Sequence, residues 1–503
     1  MRGRSQVAVE HLDVLIVGAG LSGIGAGYHL QTNSPKKTYA ILEGREASGG
    51  TWDLFRYPGI RSDSDMYTLG YAFKPWREAK AIADGPSILK YVRDTAIEHG
   101  IDRHIRFSHM VRRAAWSSED ATWTVEVEHG PGKEIVRFTC NFLFMCSGYY
   151  DYEGGYTPDF AGAESFKGKI VHPQKWPENL DYSGKKVVVI GSGATAVTLV
   201  PEMAKTADHV VMLQRSPTYV VSRPAEDAQA NWLRDHLPAK LAYGITRWRN
   251  VLFGMLFFNM ARKKPEQTKE RILGMVREHL GPDYDVDKHF TPSYNPWDQR
   301  LCLVPDADLF EAIKDGSASV VTDHIETFTQ TGIRLKSGQE LEADIVVTAT
   351  GLKMKLLSGM EVTVDGQRVD LSETLSYKGM MFSGVPNLAS AFGYTNASWT
   401  LKCDLTCEYV CRMLNYMDAR GLKIATPQKE EGVETAPWLD FSSGYVQRGI
   451  GQFPKQGLTK PWKLYQNYAL DLVNLRFGPV SDGTMKFSKP TGAARREETR
   501  EAA

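Results

Sequence analysis

The sequence predicts an α/β fold made of two dinucleotide-binding, Rossmann-like domains, each with a β-meander, plus a helical insertion in the second. Three observations carry this prediction. Two apolar strands run directly into glycine-rich turns, LDVLIVGAGLSG and KVVVIGSGATA. After each, short β runs broken by turn residues lead into a strand ending small-small-glycine, FLFMCSG and IVVTATG. Between Pro217 and Asp298 the apolar period becomes helical, and no third glycine turn appears. The expected boundaries are 1–149 and 352–503 for the first nucleotide domain, 150–216 and 299–351 for the second, and 217–298 for the insertion.

At 503 residues the chain exceeds a single core. Its 60 basic and 60 acidic side chains cancel, so no net field draws in nucleic acid. The first apolar run, VLIVGAG, is too short for a signal-peptide core or a membrane span. Six cysteines without a Cys-x-x-Cys pair indicate a reduced, cytoplasmic protein. Cys403, Cys407 and Cys411 recur every fourth residue and are expected to pack in the core from one helix face. The run VLFGMLFFNMA, flanked by arginines and lysines, reads as a core or pocket-lining helix; the alternative is weak association with a membrane surface.

In the first turn, Gly18 permits the bend, Gly20 lets the backbone approach a pyrophosphate, and Gly23 allows helix and strand to pack closely. The helix then presents its first amides to the anion. The next strand, TYAILE, ends in Glu43, twenty residues after Gly23, where a carboxylate accepts from ribose hydroxyls. The loop GGTWDLFRYPGIRSDSD has no helical or strand period. It is dense in Gly, Pro and aromatic residues, and such a loop is costly in entropy unless it holds a ligand. We read it as a lid over the isoalloxazine of a flavin.

In the second turn Gly191, Gly193 and Ala196 take the three corresponding roles. The following strand ends in Gln214, Arg215 and Ser216 where an NAD site would carry an acid. Arginine pairs with a 2′-phosphate, so NADPH is expected over NADH. Trp248, Phe253, Phe257 and Phe258 are candidate pocket liners in the insertion, and Arg300 enters as the chain leaves it. Near the end, Ser398 or Asn396 is placed to cap a helix whose N-terminus would support negative charge on a flavin. The last stretch, KPTGAARREETREAA, is polar and expected to be disordered.

The segment FKGKIVHPQKWP joins the two glycine turns and reads as a structured hinge. With Phe166, Gly168, His172, Trp176 and Pro177 it fits the signature FxGxxxHxxxWP of type I Baeyer–Villiger monooxygenases, the class B flavoprotein monooxygenases. The lid resembles their second signature through Gly50, Trp52, Tyr57, Pro58, Gly59 and Asp63. The wording around YPGIRSDSDMYTLG, YNPWDQRLCLVP and GYTNASWTLK is most similar to the ethionamide-activating subgroup.

The resemblance implies that NADPH reduces FAD, that the reduced flavin captures O2 as a C4a-peroxide, and that this attacks a ketone to give an ester or lactone. Sulfides form a second substrate class. It implies Arg300 as catalytic arginine and Asp63 as its partner, pinning the guanidinium by a bidentate pair. It places FAD contacts at Ser22, Glu43, Thr51, Trp52, Asp53, Leu54, Asp63 and Val111. NADP contacts fall on Arg61, Ser62 and Asp63, on Gly191, Ser192, Gly193, Ala194, Thr195, Ala196 and Val197, and on Arg215 and Ser216. His172 is expected to order the connector by hydrogen bonds. One departure stands out: Gln299 occupies the place of a lysine that many members use on the 2′-phosphate.

Two other readings compete. A flavin-containing S/N-monooxygenase acting on sulfides, thioamides or amines would use the protonated oxidant, and a nucleotide-binding redox sensor would turn nothing over. A disulfide oxidoreductase is excluded, because Cys140 and Cys146 lie on one extended stretch about 20 Å apart, beyond the ~7 Å a disulfide tolerates.

Overall fold

The computed structural model describes residues 9–439 and 441–492, and the polar end expected to be disordered lies, from residue 493 onward, outside them. The strand Glu10–Val17 pairs in parallel with Tyr39–Leu42 on one side and Glu134–Met145 on the other. Val14, Leu15 and Ile16 are fully buried, as a strand covered on both faces requires. The helix Leu21–Asn33 covers one face and packs against the long helix Trp399–Ala419. Cys403, Cys407 and Cys411 are buried in that helix, as their spacing predicts.

The first meander, His109–Ser117, Thr122–His129 and Glu134–Met145, is antiparallel. Where the sequence reading separates EIVRFTC from FLFMCSG, the structure has one twelve-residue strand. Its first half pairs in the half-solvated meander. Its last residues, Phe142 to Met145, are buried throughout and pair with Glu10–Val17 and with Leu388–Ser390. The change in burial looked like a break in the sequence but marks the strand's passage into the core. After residue 352 the chain returns to this sheet through Glu361–Val364, which pairs with His109–Ser117.

The second sheet is all parallel, in the order Ala318–Thr322, His209–Gln214, Lys186–Ile190, Ile345–Thr348, Lys169–Val171. Its meander, Ile325–Phe328, Gly332–Leu335 and Glu340–Glu342, stands as a separate three-stranded sheet. The connector is therefore more than a hinge, since Lys169–Val171 is itself an edge strand. Phe166 is buried beside Phe328, and a Cβ on Gly168 would stand 2.3 Å from the Asp344 carbonyl oxygen.

The insertion consists of the helices Ala228–His236, Ala239–Lys263, Pro265–Leu280 and Val286–Phe290. It opens, however, with a strand, Val220–Arg223, that pairs in parallel with Cys302–Pro305 and ties its two ends together. The expectation of a core or pocket-lining helix at VLFGMLFFNMA holds for one face only: Val251 and Ala261 are buried, whereas Leu252, Phe253 and Leu256 are 56%, 61% and 67% exposed. The helix is apolar on two faces, and Tyr243, Arg247 and Val251 turn only one of them inward. No helix among the described residues is long and apolar enough to cross a membrane.

Candidate active site

One cavity of about 1000 Å³ is walled by both glycine turns and by the lid. That is the upper end of the range for a single-ligand pocket. The first unit contributes Gly18, Gly20, Ser22, Glu43, Thr51 and Trp52, with Val111 from the meander. The second contributes Gly191, Ser192, Gly193, Ala194 and Thr195, then Arg215 and Ser216. Arg61, Ser62, Asp63 and Arg300 also line it.

The residues present fit two dinucleotides. Gly18 has φ +103°, and a Cβ there would stand 2.6 Å from the Cys146 carbonyl oxygen. Gly191 has φ +140°, and its Cβ would meet the Ala349 carbonyl at 2.4 Å. Both turns therefore require glycine, one at each strand crossover. A Cβ on Gly193 would meet nothing within 4 Å, so this position opens on the cavity. Glu43 accepts the Ala19 amide at 2.8 Å on one oxygen and the Arg45 amide at 3.0 Å on the other. Burial raises its pKa, and those two amides pull it back. A carboxylate has about four acceptor sites, so ribose hydroxyls can still be accommodated.

Several expected contacts are placed elsewhere. Asp53 is 2% exposed and is held by Arg45 and Arg93, each at 2.7 Å, and by Arg56 at 3.3 Å; it anchors the lid from behind. Neither Asp53 nor Leu54 is part of the cavity wall. Gly23, Ala196 and Val197 are also away from the wall; a Cβ on Gly23 would stand 1.8 Å from the Gly18 carbonyl oxygen, so this residue serves packing. Arg61 stays in the wall but is tied to Asp308, which clamps the lid to the second unit. Ser398 precedes the helix Trp399–Ala419, but its hydroxyl pairs with Thr68 at 2.7 Å and caps nothing, while Asn396 donates to the Gln466 carbonyl. The four proposed liners of the insertion are absent from the wall. Phe257 packs on the Tyr219, Ile272 and Leu301 cluster and Phe258 on Trp297.

His172 accepts the Gln174 amide at 3.1 Å, and its ring fills the space a Cβ on Gly155 would need. It organises the connector and does not reach the cavity wall.

Arg300 lies 2.7 Å from Asp63, Nη2 to Oδ2, so the two form the expected ion pair. About a third of each side chain faces the cavity. Asp63, foremost, holds the guanidinium above its usual pKa, against the effect of burial. Tyr149, Tyr150 and Tyr445 stand around it, each with its phenol pushed upward mainly by burial and hence neutral. Tyr149 stacks on Trp399 at 5.3 Å, and the Trp399 indole donates to Ser22 at 2.8 Å. Sequence reasoning missed these aromatics. Their signal was the repeated Ser-Gly-Tyr after Cys146 and after Ser442.

Also missed is Lys336, which lines the cavity with Arg215, Ser216 and His324. Its amide donates to the His324 carbonyl at 2.9 Å, and the strand before His324 pairs Thr322 with Gln214. Gln214 turns inward to Thr322 and the His289 carbonyl, leaving Arg215 exposed at the cavity mouth.

Two nucleotide-type units facing one cleft, with a permanently charged guanidinium in its wall, fit a flavoprotein oxidoreductase, and the relatives specify one of the monooxygenase type. A flavin-binding monooxygenase-like profile matches residues 81–273, and an NAD(P)-binding Rossmann-like domain matches 16–81. The chain is 56% identical over 483 residues to the FAD-containing monooxygenase EthA of Mycobacterium tuberculosis, covering 95% of this chain and 98% of that one. It is 48% identical over 491 residues to the probable FAD-binding monooxygenase AlmA of Acinetobacter baylyi, covering 97% and 98%. The chain belongs to this family of FAD-containing monooxygenases. Its fold matches that of a steroid monooxygenase bound to NADP (TM-score 0.76, 22% identity, 95% of this chain and 100% of that one). It also matches the open form of cyclohexanone monooxygenase (TM-score 0.69, 20% identity, 84% and 90%).

Proposed function

We propose that the protein is an NADPH- and O2-dependent FAD monooxygenase that inserts one oxygen atom beside a ketone carbonyl to give an ester or lactone, with sulfide oxidation as a side activity. The supporting observation is the Arg300–Asp63 pair in the wall of a cavity shared by both glycine turns. In this reading FAD occupies the unit formed by 1–149 and 352–503, and NADP the unit formed by 150–216 and 299–351. Bound FAD supplies the activation of O2, using electrons taken from NADPH.

The chain's own residues set the charge at the reacting oxygen. A guanidinium cannot surrender its proton, so Arg300 stabilises negative charge on oxygen without neutralising it. Asp63 fixes its position and raises its pKa further. Lys336 takes over the task on the 2′-phosphate that Gln299 cannot perform, beside Arg215 and Ser216.

A second reading, oxygenation of sulfur or nitrogen by the protonated oxidant, is favoured by the buried aromatic wall of Tyr149, Tyr150 and Tyr445 around Arg300, because burial of the kind that raises these phenols also disfavours an anionic oxidant. A panel of linear, cyclic and aryl ketones beside sulfides and thioamides, read by product mass and NADPH loss, separates the two. Esters from ketones are expected. Sulfoxides or S-oxides alone, with no ester from any ketone, would overturn the first reading in favour of the second.

A further inference from the structure

The helix Ala239–Lys263 carries an apolar face that the fold does not use. Leu241, Ile245, Trp248, Leu252 and Leu256 follow one another at steps of four, three, four and four, so they form one stripe. Each is between 41% and 67% exposed, and Phe253 at 61% adjoins them. At 1.5 Å per residue the stripe is about 22 Å long. Trp248 touches Tyr468, with ring centroids 5.7 Å apart. The segment beginning at Tyr468 in turn exposes Val473 and Phe477. An apolar surface of this extent on a folded protein marks a docking face.

The charges state what it docks on. From residue 239 to 264 the chain has six basic residues, Lys240, Arg247, Arg249, Arg262, Lys263 and Lys264, and no acidic one. Arg247 faces inward and donates to the Tyr67 and Gly70 carbonyls at 2.8 Å. Arg249 pairs with Asp227 and Arg262 with Asp298. Lys240 at one end of the stripe and Lys263 and Lys264 at the other are exposed. A second copy docking by two-fold symmetry would set these lysine ends against one another. An anionic lipid surface complements them: leucines and aromatics enter the acyl boundary while lysine ammonium groups reach the phosphates.

We infer that this helix is a peripheral docking face for anionic bilayers. The overall charge balance, which argues against a general attraction to membranes, does not bear on a local cationic rim. None of the stripe residues lines the cavity, so binding leaves the active site's composition unchanged.

Vesicle flotation of the FAD-loaded full chain tests this, using phosphatidylcholine alone and phosphatidylcholine containing phosphatidylglycerol. The wild type is expected to float with the anionic vesicles and to be released by salt. The variant Leu252→Ser/Phe253→Ser/Leu256→Ser should lose at least about tenfold of that binding, while keeping its flavin content and NADPH oxidation. The variant Lys240→Gln/Lys263→Gln/Lys264→Gln should lose the salt-sensitive part, about fivefold per lysine at low salt. The inference is overturned if the wild type floats with neither vesicle, or with both equally and independently of salt. It is also overturned if light scattering shows a stable dimer that the serine variant dissociates while vesicles bind neither form.

Discussion

Replacing Arg300 by alanine separates the chemistry of oxygen transfer from that of cofactor binding. A unit charge about 4 Å from developing negative charge, at an effective dielectric of about 20, contributes about 4 kcal/mol. Because a third of the side chain faces the cavity, solvent screening lowers this to about 3 kcal/mol, or roughly a hundredfold in rate. That agrees with the cost of roughly 10²–10³ for removing a preorganised group that stabilises an oxyanion. Asp63 then faces the cavity without its counter-charge, so Arg300→Lys, which keeps the charge but loses the planar fork, should recover part of the rate. The assay has two readouts: anaerobic bleaching of the flavin's visible absorbance by NADPH, expected to stay within about tenfold of wild type, and ester formation from a ketone, expected to fall by about a hundredfold or more. Ester formation at near wild-type rate would refute the electrostatic role assigned to Arg300. Loss of bleaching together with product would show instead that Arg300 serves cofactor binding.

Lys336→Ala should weaken NADP and 2′,5′-ADP binding by roughly tenfold in calorimetry and leave 5′-AMP unchanged, with a parallel fall in the NADPH-to-NADH ratio; equal loss with both nucleotides would remove the 2′-phosphate contact. Asp53→Asn removes the shared partner of Arg45, Arg56 and Arg93 and should cost about 2–3 kcal/mol in a urea melt, below the value for a wholly buried pair because the arginines remain partly solvated. Burial holds the His172 pKa below its ordinary 6.5, so as pH falls the unfolded chain takes up that proton first. Its contribution to stability is complete above about pH 6.5 and is lost as pH drops through the folded value, and His172→Gln should flatten that part of the stability–pH curve relative to wild type.

Much of this protein is legible in local sequence, because some tasks admit few residues. A strand that must turn sharply beneath a phosphate requires glycine, so Gly18 and Gly191 mark both nucleotide units without any knowledge of their neighbours. The four-residue cysteine period marked a single helix face for the same kind of reason, since a helix repeats every 3.6 residues wherever it lies, and packing against Leu21–Asn33 then buried that face. The tertiary structure decided where side chains point when either direction is sterically open. Asp53 and Asp63 stand ten residues apart on one lid, yet one is turned back onto three arginines and the other forward onto Arg300. Phe253 and Leu256 have the composition of core residues, but another face of their helix was already taken up by the fold. Lys336 reaches the nucleotide cleft only because the strand leading to His324 pairs beside the one ending at Gln214. Periodicity encodes which residues share a face; which face finds a partner depends on elements far away along the chain, and only packing resolves it.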